Sequence, residues 1–280
     1  MNPMQWQEVS GSWVLIPPQP IALIHFLGGA FVGTAPHITY RWLLEQLAQQ
    51  GYGIVATAFL NTLDHQVIAR TVLNRFDNIV ERLQNRGQLT AGYLPVYGLG
   101  HSLGCKIHLL IGSFYEVERA GNILISFNNY PVKQAIPLAD QLAQFDLQGL
   151  VNTLKEQLDV KSEMNVDFNW EFTPTPAETQ QLIAEHYTVR RNLLIKFRND
   201  TLDQTLTLHP ILGDRFEEMV VLRLLPGNHL TPLGQDLQWQ AGQVFTPFDA
   251  IGQWLKSSLS QDLQTLHQEI LRWLNPLILT

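Results

Sequence analysis

The chain of 280 residues has a single cysteine and few charged residues, and it has no long apolar run. Cys105 alone excludes an internal disulfide framework and any metal site built from several cysteines, which suits a reducing compartment. No stretch of about 18 uninterrupted apolar residues occurs, and the polar N-terminus lacks a basic segment followed by an apolar one. We therefore expect neither a transmembrane segment nor a secretion signal, and we expect a cytoplasmic protein.

A basic surface is also missing. The formal net charge of -7 offers no positive field for phosphates, so nucleic acid is not an expected partner. Neither a G-x-G-x-x-G motif nor a lysine-bearing phosphate loop is present. A hydrophobic fraction of 45% is enough for one sizeable core. The sequence carries no signal for an oligomeric state, and no metal or organic cofactor is expected.

Short apolar runs alternate with stretches of helical periodicity, a pattern typical of an α/β fold with a mostly parallel central sheet flanked by helices. The predicted strands are Trp13–Ile16, Ile21–Phe26, Gly53–Phe59, Leu94–Tyr97, Asn122–Phe127, Asn192–Phe197 and Met219–Leu225. The predicted helices are Ile38–Gln50, Val67–Leu83, Leu103–Val117, Pro176–Tyr187 and two further helices between Thr246 and Leu274.

An insertion interrupts this alternation between Pro131 and Pro176, where the connection is far longer than an ordinary crossover needs. Its position predicts a helical cap over the C-terminal ends of the strands, where open α/β sheets bind ligands. Additional core helices are the alternative. The predicted organisation is one core formed by residues 1–130 and 177–280, with a cap insertion at 131–176.

A sharp strand-to-helix turn is predicted at Gly100-His101-Ser102-Leu103-Gly104. This G-x-S-x-G pattern between a strand and a buried helix is typical of a nucleophile elbow, where strain exposes the serine hydroxyl and glycines let strand and helix approach closely. The start of the helix places the Leu103 N–H beside the position of a developing oxyanion. Ser102 is therefore the candidate nucleophile, and Leu103 is a candidate oxyanion donor.

An acid and a base follow at later strand ends, in the order that a serine nucleophile on this kind of sheet requires. Asp200 comes three residues after a predicted strand, and Asp203 in the same turn is the alternative acid. His229, in the turn after the last predicted strand, is the candidate base. His101 adjoins the serine but should point away from it, so we expect it to support the site from behind.

The second oxyanion donor is expected in the glycine-bearing turn after the strand Ile21–Phe26. Two registers are possible, one using the N–H of Leu27 and the other that of Gly28 or Gly29. His25 precedes this turn and is expected to brace it.

Taken together, these elements resemble the α/β-hydrolase superfamily, and more narrowly the DUF1350 family of cyanobacteria and plant chloroplasts. Three segments carry the narrower resemblance: Gly98–Lys106, Ala120–Asn129 and Gly227–Pro232. The resemblance implies the α/β-hydrolase fold and the Ser102, Asp200 and His229 triad. It implies no particular substrate, because the family has none assigned. For an organellar homologue it implies a location in the plastid stroma. Two departures stand out: Phe26 replaces a common glycine, and the acid turn lacks the usual glycine before Asp200.

The leading functional hypothesis is a serine hydrolase of carboxylic esters or thioesters. An apolar cap favours an apolar acyl or lipid-like small-molecule substrate. The alternative is a non-enzymatic scaffold or partner-binding protein that keeps the fold, which predicts a closed or missing pocket over Ser102. A lyase or acyltransferase of the same fold is a third hypothesis.

Overall fold

The computed structural model describes residues 4–30, 32–89, 92–135, 171–233 and 247–275, with side chains from residue 261 onward in the last range. These residues form an eight-stranded sheet with helices on both faces. The strands are β1 Gln7–Val9, β2 Ser12–Leu15, β3 Ala22–Leu27, β4 Tyr52–Thr57, β5 Val96–His101, β6 Gly121–Ile125, β7 Asn192–Phe197 and β8 Val220–Leu225. The helices are α1 Pro36–Thr39, α2 Arg41–Gln49, α3 His65–Asn85, α4 Leu103–Phe114, α5 Pro176–His186, α6 Thr205–Arg215 and α7 Pro247–Leu274.

The sheet has the strand order β1-β2-β4-β3-β5-β6-β7-β8. Strand β2 pairs antiparallel with both β1 and β4, and every later neighbouring pair is parallel. The central strands β3 and β4 are buried along their whole length because helices cover both faces, which explains their continuous apolar sequence. The C-terminal ends of β5, β7 and β8 therefore lie along one edge of the sheet, and the loops after them can meet there.

The seven predicted strands are confirmed, with ends that match or are displaced by up to four residues, but several other elements differ from the prediction. The edge strand β1 was not predicted, because two of its three residues are exposed and it therefore has no hydrophobic pattern. Helix α6 contains Pro210, which ordinarily ends a helix. The C-terminal pair of predicted helices is wrong, since α7 is one continuous helix. After Pro247 that stretch contains no proline, and its only glycine costs roughly 1 kcal/mol in a helix.

The predicted helix Ile38–Gln50 is divided in two at Tyr40. The backbone of Tyr40 has φ −114°, and its N–H closes α1 by donating to the carbonyl of Pro36, the first residue of that helix. Its side chain is fully buried. Among the described residues, no helix is long and apolar enough to cross a membrane.

The predicted cap at residues 131–176 falls mostly on 136–170, outside the described residues. Its two ends are described. Residues 132–135 are helical, and the stretch that leads into α5 packs on the loop before α3, where the Thr173 carbonyl accepts hydrogen bonds from the N–H groups of His65 and Gln66. Both ends of the insertion thus lie near the loops at the C-terminal edge of the sheet.

Candidate active site

The turn between β5 and α4 holds Ser102 in a strained backbone conformation. Its φ of 56° and ψ of −118° are rare for a residue with a side chain. The turn is tight because a Cβ atom on Gly104 would lie 2.0 Å from Leu27 O, and one on Gly100 would lie 2.7 Å from the backbone N of Cys105. Only glycine fits at both positions, so the G-x-S-x-G spacing follows directly from this geometry.

A continuous chain of hydrogen bonds runs through Ser102, His229 and Asp200. Ser102 Oγ lies 3.1 Å from His229 Nε2, and His229 Nδ1 lies 2.8 Å from Asp200 Oδ2. An ionised carboxylate only accepts, so Nδ1 carries the imidazole proton and Nε2 presents a lone pair to the serine. The tautomer is the one that a base for the Ser102 hydroxyl needs.

Asn128 is a contact of the serine that the sequence analysis did not identify. Its side-chain Nδ2 donates to Ser102 Oγ at 2.7 Å from the loop after β6. Because this bond occupies a lone pair of Oγ, the hydroxyl proton is directed to the remaining acceptor, His229 Nε2. The sequence signal available was its position, since Asn128 follows a strand that ends beside the elbow.

The two candidate carboxylates have different partners. Asp200 Oδ1 accepts from the N–H of Leu202 at 2.9 Å while Oδ2 takes the bond from His229. Burial raises the pKa of Asp200, but the hydrogen bond and charge of His229, together with further hydrogen bonds that include the Leu202 N–H, outweigh burial and the net shift is downward. Asp203 instead accepts from the N–H and hydroxyl of Thr205 at the start of α6 and lies 3.5 Å from Lys196 Nζ. Asp203 therefore binds the first residue of α6, and its carboxylate makes no hydrogen bond with His229.

His101 connects the elbow to both neighbouring loops. Its Nε2 bonds to the backbone carbonyl of His229 at 3.0 Å, and its Nδ1 lies 2.8 Å from Tyr40 Oη. Burial, and then the nearby His229, lower the pKa of His101 to about 3, so the ring is neutral. A carbonyl only accepts, so Nε2–H donates to it and Nδ1 accepts from the Tyr40 hydroxyl. The Tyr40 oxygen in turn accepts from the N–H of Gly29 at 2.9 Å.

The oxyanion-loop candidates differ in what they present to the serine. Leu27 and Gly28 turn their carbonyl oxygens toward Gly104, and neither borders the pocket at Ser102. Gly29 borders the pocket, but its N–H is donated to Tyr40. Ala30 also borders the pocket, and within the described part of the chain its N–H has no acceptor. The loop thus brings Gly29 and Ala30 to the pocket. Of the predicted donors only Gly29 reaches it, and Ala30, whose N–H is not donated to Tyr40, lies one position further along the chain.

His25 does not brace the glycine turn, in contrast to the sequence-based expectation. It is fully buried in β3, its ring stacks on Phe76 at 4.4 Å, and Nδ1 lies 3.2 Å from a guanidinium nitrogen of Arg119. Side chains alternate between the faces of a strand. The ring of His25 therefore packs against α3 and away from the elbow.

A pocket of about 80 Å³ opens beside Ser102 Oγ. Its walls are mainly apolar and come from the elbow, the oxyanion loop, the loops after β7 and β8, and both described ends of the 131–176 segment. The main apolar lining residues are Val32, Leu103, Phe172, Leu202, Leu230 and Leu233. In the described ranges, no group of three or more His, Cys, Asp or Glu side chains is arranged to hold a metal ion.

The strand order, the strained serine turn and the Ser102–His229–Asp200 contacts together define a protein of the α/β-hydrolase superfamily. The model of the family "Protein of unknown function (DUF1350)" matches residues 5–276, so the chain belongs to the DUF1350 family. No curated protein sequence matches it significantly.

Many solved structures share the fold at low sequence identity. TT1662 from Thermus thermophilus is 17% identical with a TM-score of 0.51, covering 82% of this chain and 92% of its own. A fluorophosphonate-binding serine hydrolase of Staphylococcus aureus, FphF, is 10% identical with a TM-score of 0.51, covering 92% and 96%. Esterase B from Lactobacillus rhamnosis is 13% identical with a TM-score of 0.52, covering 94% and 89%. At these identities the likeness extends to the fold alone.

Proposed function

We propose that this protein is a serine hydrolase that cleaves carboxylic esters or thioesters with Ser102 as nucleophile, His229 as base and Asp200 as the acid that orients it. The observation that carries the proposal is the hydrogen-bond chain from Asn128 through Ser102 and His229 to Asp200. Each donor and acceptor in this chain is assigned in the direction that activates the hydroxyl. Fluorophosphonate binding and esterase activity among proteins of the same fold add general support.

The proposed reaction has two steps. Ser102 Oγ attacks the acyl carbon while its proton moves to His229 Nε2, and the carbonyl electrons move onto oxygen. The oxyanion then collapses, the bond to the leaving alcohol or thiol breaks, and the imidazolium returns the proton to that leaving group. A water deprotonated by His229 attacks the acyl-serine in the same way, releasing the acid and restoring the Ser102 hydroxyl.

The oxyanion in both steps is assigned to two backbone donors. Leu103 is the first residue of α4, so its N–H has no intrahelical acceptor and lies at the positive end of the helix. Ala30 supplies the second N–H, because that of Gly29 is donated to Tyr40. The Gly29–Tyr40–His101 chain acts as a strut that fixes this loop against the elbow.

The proposed substrate is an ester or thioester with an apolar acyl chain. The apolar pocket walls support it, and the pocket itself argues against a scaffold that predicts a closed site over Ser102. Ala135 and Phe172, from the two described ends of the 131–176 segment, both border the pocket. That placement supports a cap that lies over the site.

A fluorophosphonate probe tests the proposal directly. The wild-type protein should be labelled covalently, and Ser102→Ala and His229→Ala should abolish labelling and hydrolysis of 4-nitrophenyl hexanoate. Thermal unfolding of each variant controls for loss of the fold. Labelling that persists in Ser102→Ala, or ester turnover unchanged by His229→Ala, would exclude the proposed mechanism.

A further inference from the structure

The wall of the pocket one helical turn beyond Ser102 contains a lysine. Lys106 lies on α4 four residues after the serine, and both residues border the same pocket. It borders the pocket although only 1% of its surface is exposed. A buried ammonium is costly unless its charge is balanced. Lysine at this position therefore needs an explanation.

The residues that the structure describes supply little to balance the charge of Lys106. Lys106 Nζ donates to the Pro174 carbonyl at 3.2 Å and lies 5.6 Å from the centre of the Phe172 ring. Within the described ranges no carboxylate lies within 4.0 Å of it. The charge of Glu171 raises the pKa of Lys106, but Glu171 Oε1 already accepts from the N–H groups of Val132 and Phe172.

The neighbouring His65 adds a second unsatisfied group. Its ring stacks on Phe172 at 4.3 Å, its Nε2 lies 3.3 Å from Asn61 Oδ1, and its buried Nδ1 has no partner among the described residues. Because the Asn61 amide can present either its oxygen or its nitrogen to Nε2, Nδ1 can serve as acceptor or donor. Asn61, His65 and Lys106 all border the pocket at this end.

The geometry points to a recognition site for a negatively charged group on the substrate: Lys106, with His65 beside it, receives a carboxylate or phosphate carried by the acyl chain whose carbonyl reaches Ser102. This inference rests on the proposed hydrolase function and specifies its substrate class. The preferred ester is one whose apolar chain ends in an acid a few bonds from the scissile carbonyl. The apolar lining contacts the chain, and the ammonium receives its charged end.

The electrostatics agree with this assignment. Burial lowers the pKa of Lys106 to about 7, and the charge of Glu171 opposes that shift. Burial, and then the charge of Lys106, hold the pKa of His65 well below its ordinary value. A bound anion reverses both directions, because it favours the charged forms of the two side chains.

The test compares two esters of equal chain length, 4-nitrophenyl hydrogen adipate and 4-nitrophenyl hexanoate, which differ by a terminal carboxylate. We expect the wild-type protein to favour the adipate by about 10-fold or more in kcat/KM, as a charge-assisted hydrogen bond provides. Lys106→Met should abolish the preference, while Lys133→Met, which removes an exposed lysine outside the pocket lining, should retain it. The ratio is measured within each variant, so a loss of folded protein cancels. Lys106→Gln provides a second neutral variant.

Binding to Ser102→Ala separates this inference from the hydrolase proposal. Calorimetry with monomethyl adipate and dimethyl adipate should show tighter binding of the charged ester, and the difference should vanish in Ser102→Ala/Lys106→Met. Charge-selective binding without turnover in the wild type would refute the hydrolase proposal and leave the anion site standing. Equal binding of both esters, or a kcat/KM preference that survives Lys106→Met, would overturn the inference.

Discussion

The Tyr40 hydroxyl offers a sharp test of how the oxyanion loop is held. Tyr40→Phe removes one oxygen from a fully buried ring and leaves the Gly29 N–H and His101 Nδ1 without partners. Leaving a buried polar group unsatisfied costs about 1–3 kcal/mol, so with two such groups the variant should lose roughly 2–6 kcal/mol of unfolding free energy. The released loop should also lower kcat by about 10- to 100-fold, because the Ala30 N–H is no longer held against the elbow.

Tyr187→Phe is the matched control. The Tyr187 hydroxyl is equally buried, accepts from Asn122 Nδ2 and donates to Asn192 Oδ1, both at 2.7 Å. This variant also loses two buried hydrogen bonds, but none of the three residues borders the Ser102 pocket. It should therefore match Tyr40→Phe in stability and retain a kcat near the wild-type value.

The measurements are urea unfolding at equilibrium and kcat on 4-nitrophenyl hexanoate at a temperature where both variants are folded. A large kcat loss in Tyr40→Phe alone supports the strut from Gly29 to His101. If the two variants lose stability equally and also retain equal kcat, the reasoning that links Tyr40 to the oxyanion donor is refuted.

Further predictions follow from the same contacts. Asp200→Asn should lower kcat by about 10³- to 10⁴-fold through the wrong His229 tautomer, and Asp203→Asn should reduce stability with kcat largely retained; steady-state kinetics and urea unfolding separate the two. The folded-state pKa of Asp200 is lowered, so its contribution to stability is complete above its unfolded pKa of about 3.9 and is lost as pH falls through the folded value. Urea unfolding between pH 6 and pH 3 should show this acid loss in the wild type and a smaller one in Asp200→Asn. Gly104→Ala should unfold the protein or cost over ~3 kcal/mol, because its Cβ would overlap a backbone carbonyl. Gly213→Ala, at a half-buried position of α6 where an added Cβ would meet nothing within 4 Å, should stabilise by up to ~1 kcal/mol; equal effects of the two alanine variants in thermal unfolding would contradict this packing. Ser102→Gly should exceed Ser102→Ala in unfolding free energy by about 1 kcal/mol, because only glycine relieves the positive φ; no difference would mean that the turn is unstrained.

Much of the architecture could be predicted because its signals are local. Buried parallel strands appear as continuous apolar runs, and their alternation with helical periodicity predicts the layered sheet. The elbow also has a local signal, because the G-x-S-x-G pattern stands between a strand and a helix; Gly100 is required by backbone atoms within a few residues of Ser102, and Gly104 by Leu27 of the adjacent strand. Where local signals conflict with tertiary packing the prediction failed, as for α6, which continues through Pro210.

The chemistry of the site depended on contacts between distant segments. Asp200 and Asp203 lie in one turn, and only the approach of His229 from another loop distinguishes the acid from the carboxylate that binds the start of α6. The position of Tyr40 on a different element decides that Gly29 gives its N–H to the strut.

Asn128 and Lys106 have no distinguishing local pattern and acquire a role only beside Ser102. The sequence by itself determined the order of the strands along the chain, the nucleophile turn and the residue types at the sheet edge. Which side chains meet there was decided by tertiary packing, because hydrogen bonds and buried charges depend on distances of a few ångströms between segments far apart in the chain.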